Sequence, residues 1–366
     1  MPGESDLGRY GLTVFTGGRG ADRFRRMADV ARRAEAAGFG AVWTGELYNR
    51  SATIPMAVLG EATERVVVGS NIAYGVGRSP LIWAVEARDL DELTEGRLVL
   101  GLGNGTPAMM ENWLGVSGES PATRMEELVG VLRKLWRLHE GPVHHEGRFY
   151  RLHLAPPADT TPPFRERLPI WTAAVGPRMA RAAGRVADGV VAHPMATPEY
   201  LAEVLRPEMA RGAEEAGRSL DDLVVKGYRM CAVGDDVEAG RRRIAFAIGQ
   251  YAASRVYDRL FALHGWEAAQ QRIRAAAKEG DPQRMAAEVP DAAVDAIGIA
   301  CTAAEFPAIA ARHAATLDHL DLCAAPWGLQ PDELETSTVA IVDALSHHLP
   351  SPSAGDTPPG NERIHA

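Results

Sequence analysis

Apolar residues recur along this chain in two alternating rhythms. Short β-branched runs are followed by longer stretches whose apolar positions fall at helical spacing. "GLTVFT" (11–16) reads as a strand, and the segment after it as a helix capped by Asp22 and stopped by Gly38. Further strands are predicted at 41–46, 65–73, 97–103, 168–176, 188–194, 223–233 and 319–324, each paired with an amphipathic helix. Eight strand–helix pairs in succession, with no compositional break, favour one closed (β/α)8 TIM barrel, an α/β fold, over an open doubly wound sheet.

Two segments depart from that alternation within the barrel, which is read as 1–349. A hairpin turning at Glu146-Gly147 is expected near 142–154, and a helical insertion near 263–296. The tail 350–366, rich in Pro, Gly and Ser, is expected to be disordered. In a parallel barrel the strand ends converge on one face, where such enzymes place their chemistry. These ends are polar or glycine: Thr16, Glu46, Ser70 with Asn71, Asn104, Thr172 and His193.

"GRLVLGLGNG" (96–105) resembles a nucleotide loop but lacks the G-x-G-x-x-G spacing and any following Gly-Lys-Ser/Thr. Its glycines instead suit a strand edge thin enough for a flat ligand to lie against backbone. Among 366 residues with a net charge of -9, no basic stripe stands out, which argues against nucleic acid. No apolar run reaches the ~18–20 residues of a membrane span. With no leader-like pattern at the start and Cys231, Cys301 and Cys323 far apart, a cytoplasmic protein with reduced thiols is expected.

Six stretches, among them "AEAAGFGAVWTGE", "ATERVVVGSNIAYGVGRSP", "LDELTEGRLVLGLGNG" and "AAVGPRMARAAGRVADGVVAHP", occur in order, one per barrel unit. In these the chain resembles the luciferase-like monooxygenase superfamily of bacterial-luciferase-type barrels, and within it the deazaflavin branch that uses coenzyme F(420). The resemblance implies that Gly176, Pro177 and Arg178, beside Val175, hold the cofactor phosphate at a helix start. It also implies a non-proline cis peptide at Asn71-Ile72, after Ser70, backing the cofactor ring. Thr16, Trp43, Gly103, Asn104, Gly105 and His193 complete the implied cofactor contacts. Leu47 and Thr106 stand where the sugar-phosphate dehydrogenases of this family carry His and Glu, which argues against sugar-phosphate oxidation.

Glu46 is the candidate catalytic residue, a carboxyl whose burial would favour the protonated form; the alternative is a structural carboxylate capping a loop. His193 reads either as a phosphate or substrate contact or as a hydrogen-bonded core histidine. Thr106, His264 and Trp266 are candidate substrate contacts. The doublets His144-His145 and His347-His348 show no carboxylate or Cys at ligand spacing, so no metal is expected.

The function expected is hydride transfer between F(420) and a small organic substrate, with reduction of an activated C=C, C=N or C=O bond favoured. The alternatives are a two-component monooxygenase using FMN and a catalytically inactive cofactor-binding barrel. The resemblance further implies a homodimer.

Overall fold

The computed structural model describes residues 7–15, 18–158 and 160–349; Thr16 and the tail 350–366 lie outside the described residues. The strands are β1 Tyr10–Thr13, β2 Ala41–Thr44, β3 Val67–Ser70, β4 Ala73–Tyr74, β5 Leu98–Gly103, β6 Val143–Glu146, β7 Arg151–Leu154, β8 Ile170–Ala174, β9 Gly189–Ala192, β10 Val224–Val233, β11 Gly298–Cys301 and β12 His319–Ala324. Parallel pairing runs β1-β2-β3-β5-β8-β9-β10-β12 and returns to β1, closing an eight-stranded TIM barrel. Helices between the strands cover its outside.

Several boundaries differ from those read in the sequence. The apolar run 65–73 is two strands, because the chain leaves the ladder at Asn71 and re-enters as β4 against β5. The first helix starts at Gly20 with Arg19 in the extended capping conformation, so Asp22 lies in the first turn, near the positive end of the helix dipole, and does not cap it. A further parallel strand outside the closed ring, β11, pairs with the outer half of β10 through Met230–Val233. At four residues, it is too short to stand out behind the helix Asp291–Ile297. The stretch after β5 also holds a short helix, Pro107–Asn112.

Alternation along the strands builds two cores. Residues such as Leu12, Val68, Leu100 and Ile170 face the helices, while Ala41, Trp43, Val67, Val99, Trp171 and Val191 fill the lumen. The Trp43 and Trp171 rings lie 5.2 Å apart at their centroids. Full burial of Trp43 requires bare backbone beside it, since a Cβ at Gly11 or Gly69 would lie 2.4 Å from its indole. The plugged lumen leaves the C-terminal mouth as the place where a ligand meets the strand ends.

Candidate active site

The floor of the mouth is a buried polar network. Asp321 on β12 accepts hydrogen bonds at Oδ2 from Lys226 Nζ (2.8 Å), from Thr13 Oγ1 (2.7 Å) and from Asn71 Nδ2. Asn71 Nδ2 also reaches Thr13 Oγ1 at 2.6 Å. Lys226 and Asp321 have no exposed side-chain surface, and Lys226 Nζ lies 4.5 Å from the Trp43 ring centroid. Burial lowers the Lys226 pKa, and the carboxylate beside it opposes that shift. Below them, Trp43 Nε1 donates to His319 Nε2 at 3.1 Å while His319 Nδ1 faces the Gly8 carbonyl at 2.9 Å. Burial pushes His319 down to about 3, keeping it neutral.

Asn71 stands at the boundary between floor and rim, and the Asn71-Ile72 peptide is cis. Its amide nitrogen is committed to Thr13 and Asp321, while its Oδ1 is buried without a partner, as is Asp321 Oδ1. Gly103 lies against Ile72 so closely that a Cβ there would meet Ile72 at 2.8 Å. At the end of β3 an unfilled acceptor on Asn71 is thus followed by the Ile72 side chain, which packs on Gly103 of β5.

Glu46 lies beside this point, its amide bonded to the Ile72 carbonyl at 2.8 Å. Its carboxylate receives Arg78 through both oxygens, at 2.7 and 3.1 Å, and the Tyr74 amide at 2.8 Å. Arg78 also reaches Glu86 at 3.3 Å and lies over the Trp83 ring. Both carboxylate oxygens are thus engaged as acceptors, the arrangement of a carboxylate that holds a loop. A cleft of about 490 Å³ opens here, lined by Glu46, Tyr48, Tyr74, Arg78, Trp113 and Leu114 among others. Tyr48 and Trp113 meet edge to face at its exposed lip.

The next sector of the rim is the start of the helix Pro177–Val186. Gly176 is its N-cap in extended conformation, with nothing within 4 Å of where a Cβ would stand. Arg178 is exposed and makes no ion pair among the described residues. Val175 is fixed through its carbonyl, which accepts from Tyr200 Oη at 3.0 Å.

His193, after β9, is hydrogen-bonded through both ring nitrogens. Its Nδ1 accepts from the Met195 amide at 3.2 Å, so Nε2 carries the proton and meets Tyr257 Oη at 3.0 Å. Burial drives it to about 3. Its ring also packs edge-on against Tyr251, which in turn meets Trp327.

Other expected contacts have structural partners. Trp43 is a lumen residue below the rim, and Ser70 faces outward, exchanging hydrogen bonds with Gly101. Asn104 Nδ2 donates to the Pro121 carbonyl at 2.7 Å, leaving Oδ1 buried and unpartnered. Gly105 has φ +70. Thr106 caps the helix Pro107–Asn112. His264 stacks on Trp266 and bonds Thr197 at 2.8 Å, which docks the insertion onto the loop after β9. Neither residue lines the cleft. The histidine doublet His144-His145 requires a correction, because hairpin pairing sets Glu146 and His153 beside His144.

Sequence reading missed Lys226, Asp321, Thr13, Arg78, Tyr251 and Tyr257. The available signal was a lysine and an aspartate placed mid-strand in the otherwise buried segments 223–233 and 319–324.

Residues 8–306 match the family model of luciferase-like monooxygenases. An uncharacterised protein of Mycobacterium tuberculosis is 32% identical over 288 residues, covering 76% of this chain and 83% of its own. The 5,10-methylenetetrahydromethanopterin reductase of Methanopyrus kandleri is 28% identical over 245 residues, 62% of this chain and 69% of its own. The solved structure of the coenzyme F(420)-dependent tetrahydromethanopterin reductase from that organism has the same fold. It matches with a TM-score of 0.75 at 21% identity, over 93% of this chain and 99% of that one.

Proposed function

The chain belongs to the luciferase-like monooxygenase family and is an oxidoreductase, and on that premise we propose that it moves a hydride between coenzyme F(420) and a small organic substrate, as a reductase of an activated C=C, C=N or C=O bond. The likeness in sequence to relatives named for that coenzyme supports the choice. When bound, the deazaflavin supplies the hydride donor or acceptor at its C5 carbon.

The residues present fit such a group. The observation that carries the reading is the unpartnered, buried Asn71 Oδ1, one residue before the Ile72 side chain that packs on Gly103. A buried acceptor left unsatisfied costs about 1–3 kcal/mol, and an N–H donor on a bound ring would relieve that cost. Asp321 and Thr13 hold the Asn71 amide so that this oxygen, and not the nitrogen, is the free end. The open helix start at Gly176, with Arg178, offers backbone N–H groups, dipole and charge to a phosphate. The Tyr48–Trp113 lip and the Arg78–Glu46 wall of the cleft receive the substrate.

Titration of the purified protein with F(420) and, separately, with FMN, following quenching of ring fluorescence, tests this reading. Tight F(420) binding with indifference to FMN is expected. The reverse preference would replace the proposal with an FMN-dependent monooxygenase, and F(420) binding without turnover on a panel of enones, imines and ketones with an inactive cofactor-binding barrel.

A further inference from the structure

The outward face of the β6–β7 hairpin carries a cluster that the barrel mouth does not use. The two strands pair antiparallel with His144 opposite His153 and Glu146 opposite Arg151. Side chains two apart on a strand share a face. His144, Glu146 and His153 therefore stand together, with donor atoms all within 4.8 Å of one another. His153 Nε2 lies 2.6 Å and His144 Nε2 3.6 Å from Glu146 Oε1, and the imidazole centroids are 4.1 Å apart. Donors at about 2.1 Å from a tetrahedral zinc sit roughly 3.4 Å from one another, so small movements of three exposed side-chain ends close this trio on one ion.

We propose that this face binds a divalent transition-metal cation, with zinc the best match to two imidazoles and a carboxylate. His145, on the opposite face, is committed elsewhere. It meets Glu127 Oε1 at 3.1 Å, and Glu127 also accepts from the Phe149 and Tyr150 amides, fastening the hairpin to the helix Pro121–Leu135. The trio is free of that duty. Arg151 is a cationic neighbour on the shared face; its Nε lies 3.0 Å from Glu146 Oε1 and competes for the carboxylate. The hairpin is a separate two-stranded sheet, an element that is marginally stable alone. An ion held by His144 from β6 and His153 from β7 ties its two strands together.

The full chain, stripped of metal with a chelator, is titrated with Zn²⁺ by calorimetry and with Co²⁺ by its visible ligand-field absorption. One ion per chain is expected. Loss of an outer-shell partner already weakens metal sites roughly 10–100-fold, so His144→Gln and His153→Gln should each cost at least about tenfold. Arg151→Gln should tighten binding by removing the competitor. Hydrogen exchange across 143–154 should slow when Zn²⁺ is added to the unaltered chain and stay unchanged in His153→Gln. Absence of binding, or binding that persists unchanged in both histidine variants, overturns the proposal.

Discussion

Lys226 Nζ lies 2.8 Å from Asp321 Oδ2 inside the barrel, both side chains fully buried, and this pair is the fixed point from which Thr13 and Asn71 are hung. Removing one member of a buried pair strands the other charge, a loss of about 3–5 kcal/mol. Asp321→Asn keeps the shape but leaves Lys226 without a counter-ion, so urea unfolding should show a loss of that size. Lys226→Met with Asp321→Asn should recover part of it. An unaltered midpoint in the single variant would show that the pair carries no net stability.

The lumen makes a second demand. A Cβ at Gly11 would fall 2.4 Å from both Trp43 Nε1 and His319 Nε2. Neither ring has room to retreat, because Trp43 is also pressed against Gly69 and Trp171. Gly11→Ala should therefore cost about 1–3 kcal/mol as an overpacked core, although alanine favours ordinary strand geometry more than glycine does. Thermal unfolding reads the effect, and an unshifted or raised transition would contradict the packing described.

The barrel was legible because its cause is local: each strand announces itself by a β-branched run and each helix by its period. The polar floor was not, because a lysine in "VVKGYRM" finds its aspartate 95 residues away only when barrel closure makes β10 and β12 neighbours. Glu46 was recognised as a carboxylate at a strand end, but its partner Arg78 lies on a loop that sequence spacing does not bring near. The His144, Glu146 and His153 trio escaped for a related reason. Adjacent histidines point to opposite faces of a strand, so the doublet itself is not a ligand pair, and the true neighbours appear only with the hairpin register.

Acid should destabilise the fold from a definite pH. Burial holds His193 and His319 down at about 3 and His313 at about 4, each from an ordinary value of 6.5. Above about pH 6.5 these rings are neutral both folded and unfolded, and they make no pH-dependent contribution. As pH falls below that value the unfolded chain takes up protons that the folded chain refuses, so each ring removes up to about 1.4 kcal/mol per pH unit until its folded value is reached. Denaturant midpoints should decline between pH 7 and 5, and less steeply in His319→Gln. A flat profile would show these rings are not held neutral.

Glu46→Gln separates the two roles weighed for that residue. If the carboxylate holds Arg78 and the Tyr74 amide at the cleft, its loss should raise KM with kcat within a few-fold of normal. A general acid contributes about 10²–10⁴ in rate, so a fall in kcat of that size at unchanged KM would restore Glu46 as the proton donor.

Gly176→Asp sets stability against binding. The position has open space around it and extended backbone at the N-cap of the helix Pro177–Val186. An aspartate there should cap the helix as its side chain accepts from the first-turn amides, raising stability by a few tenths of a kcal/mol, since glycine itself caps adequately. The same carboxylate occupies the amides and opposes the charge of an incoming phosphate, so F(420) affinity should drop at least about tenfold, equivalent to 1.4 kcal/mol. Opposite signs in the two measurements are the signature of a phosphate seat. A variant with an intact melting temperature and an unchanged dissociation constant would place the phosphate elsewhere on the rim, and Arg178→Ala, which removes only charge, would then also leave binding untouched.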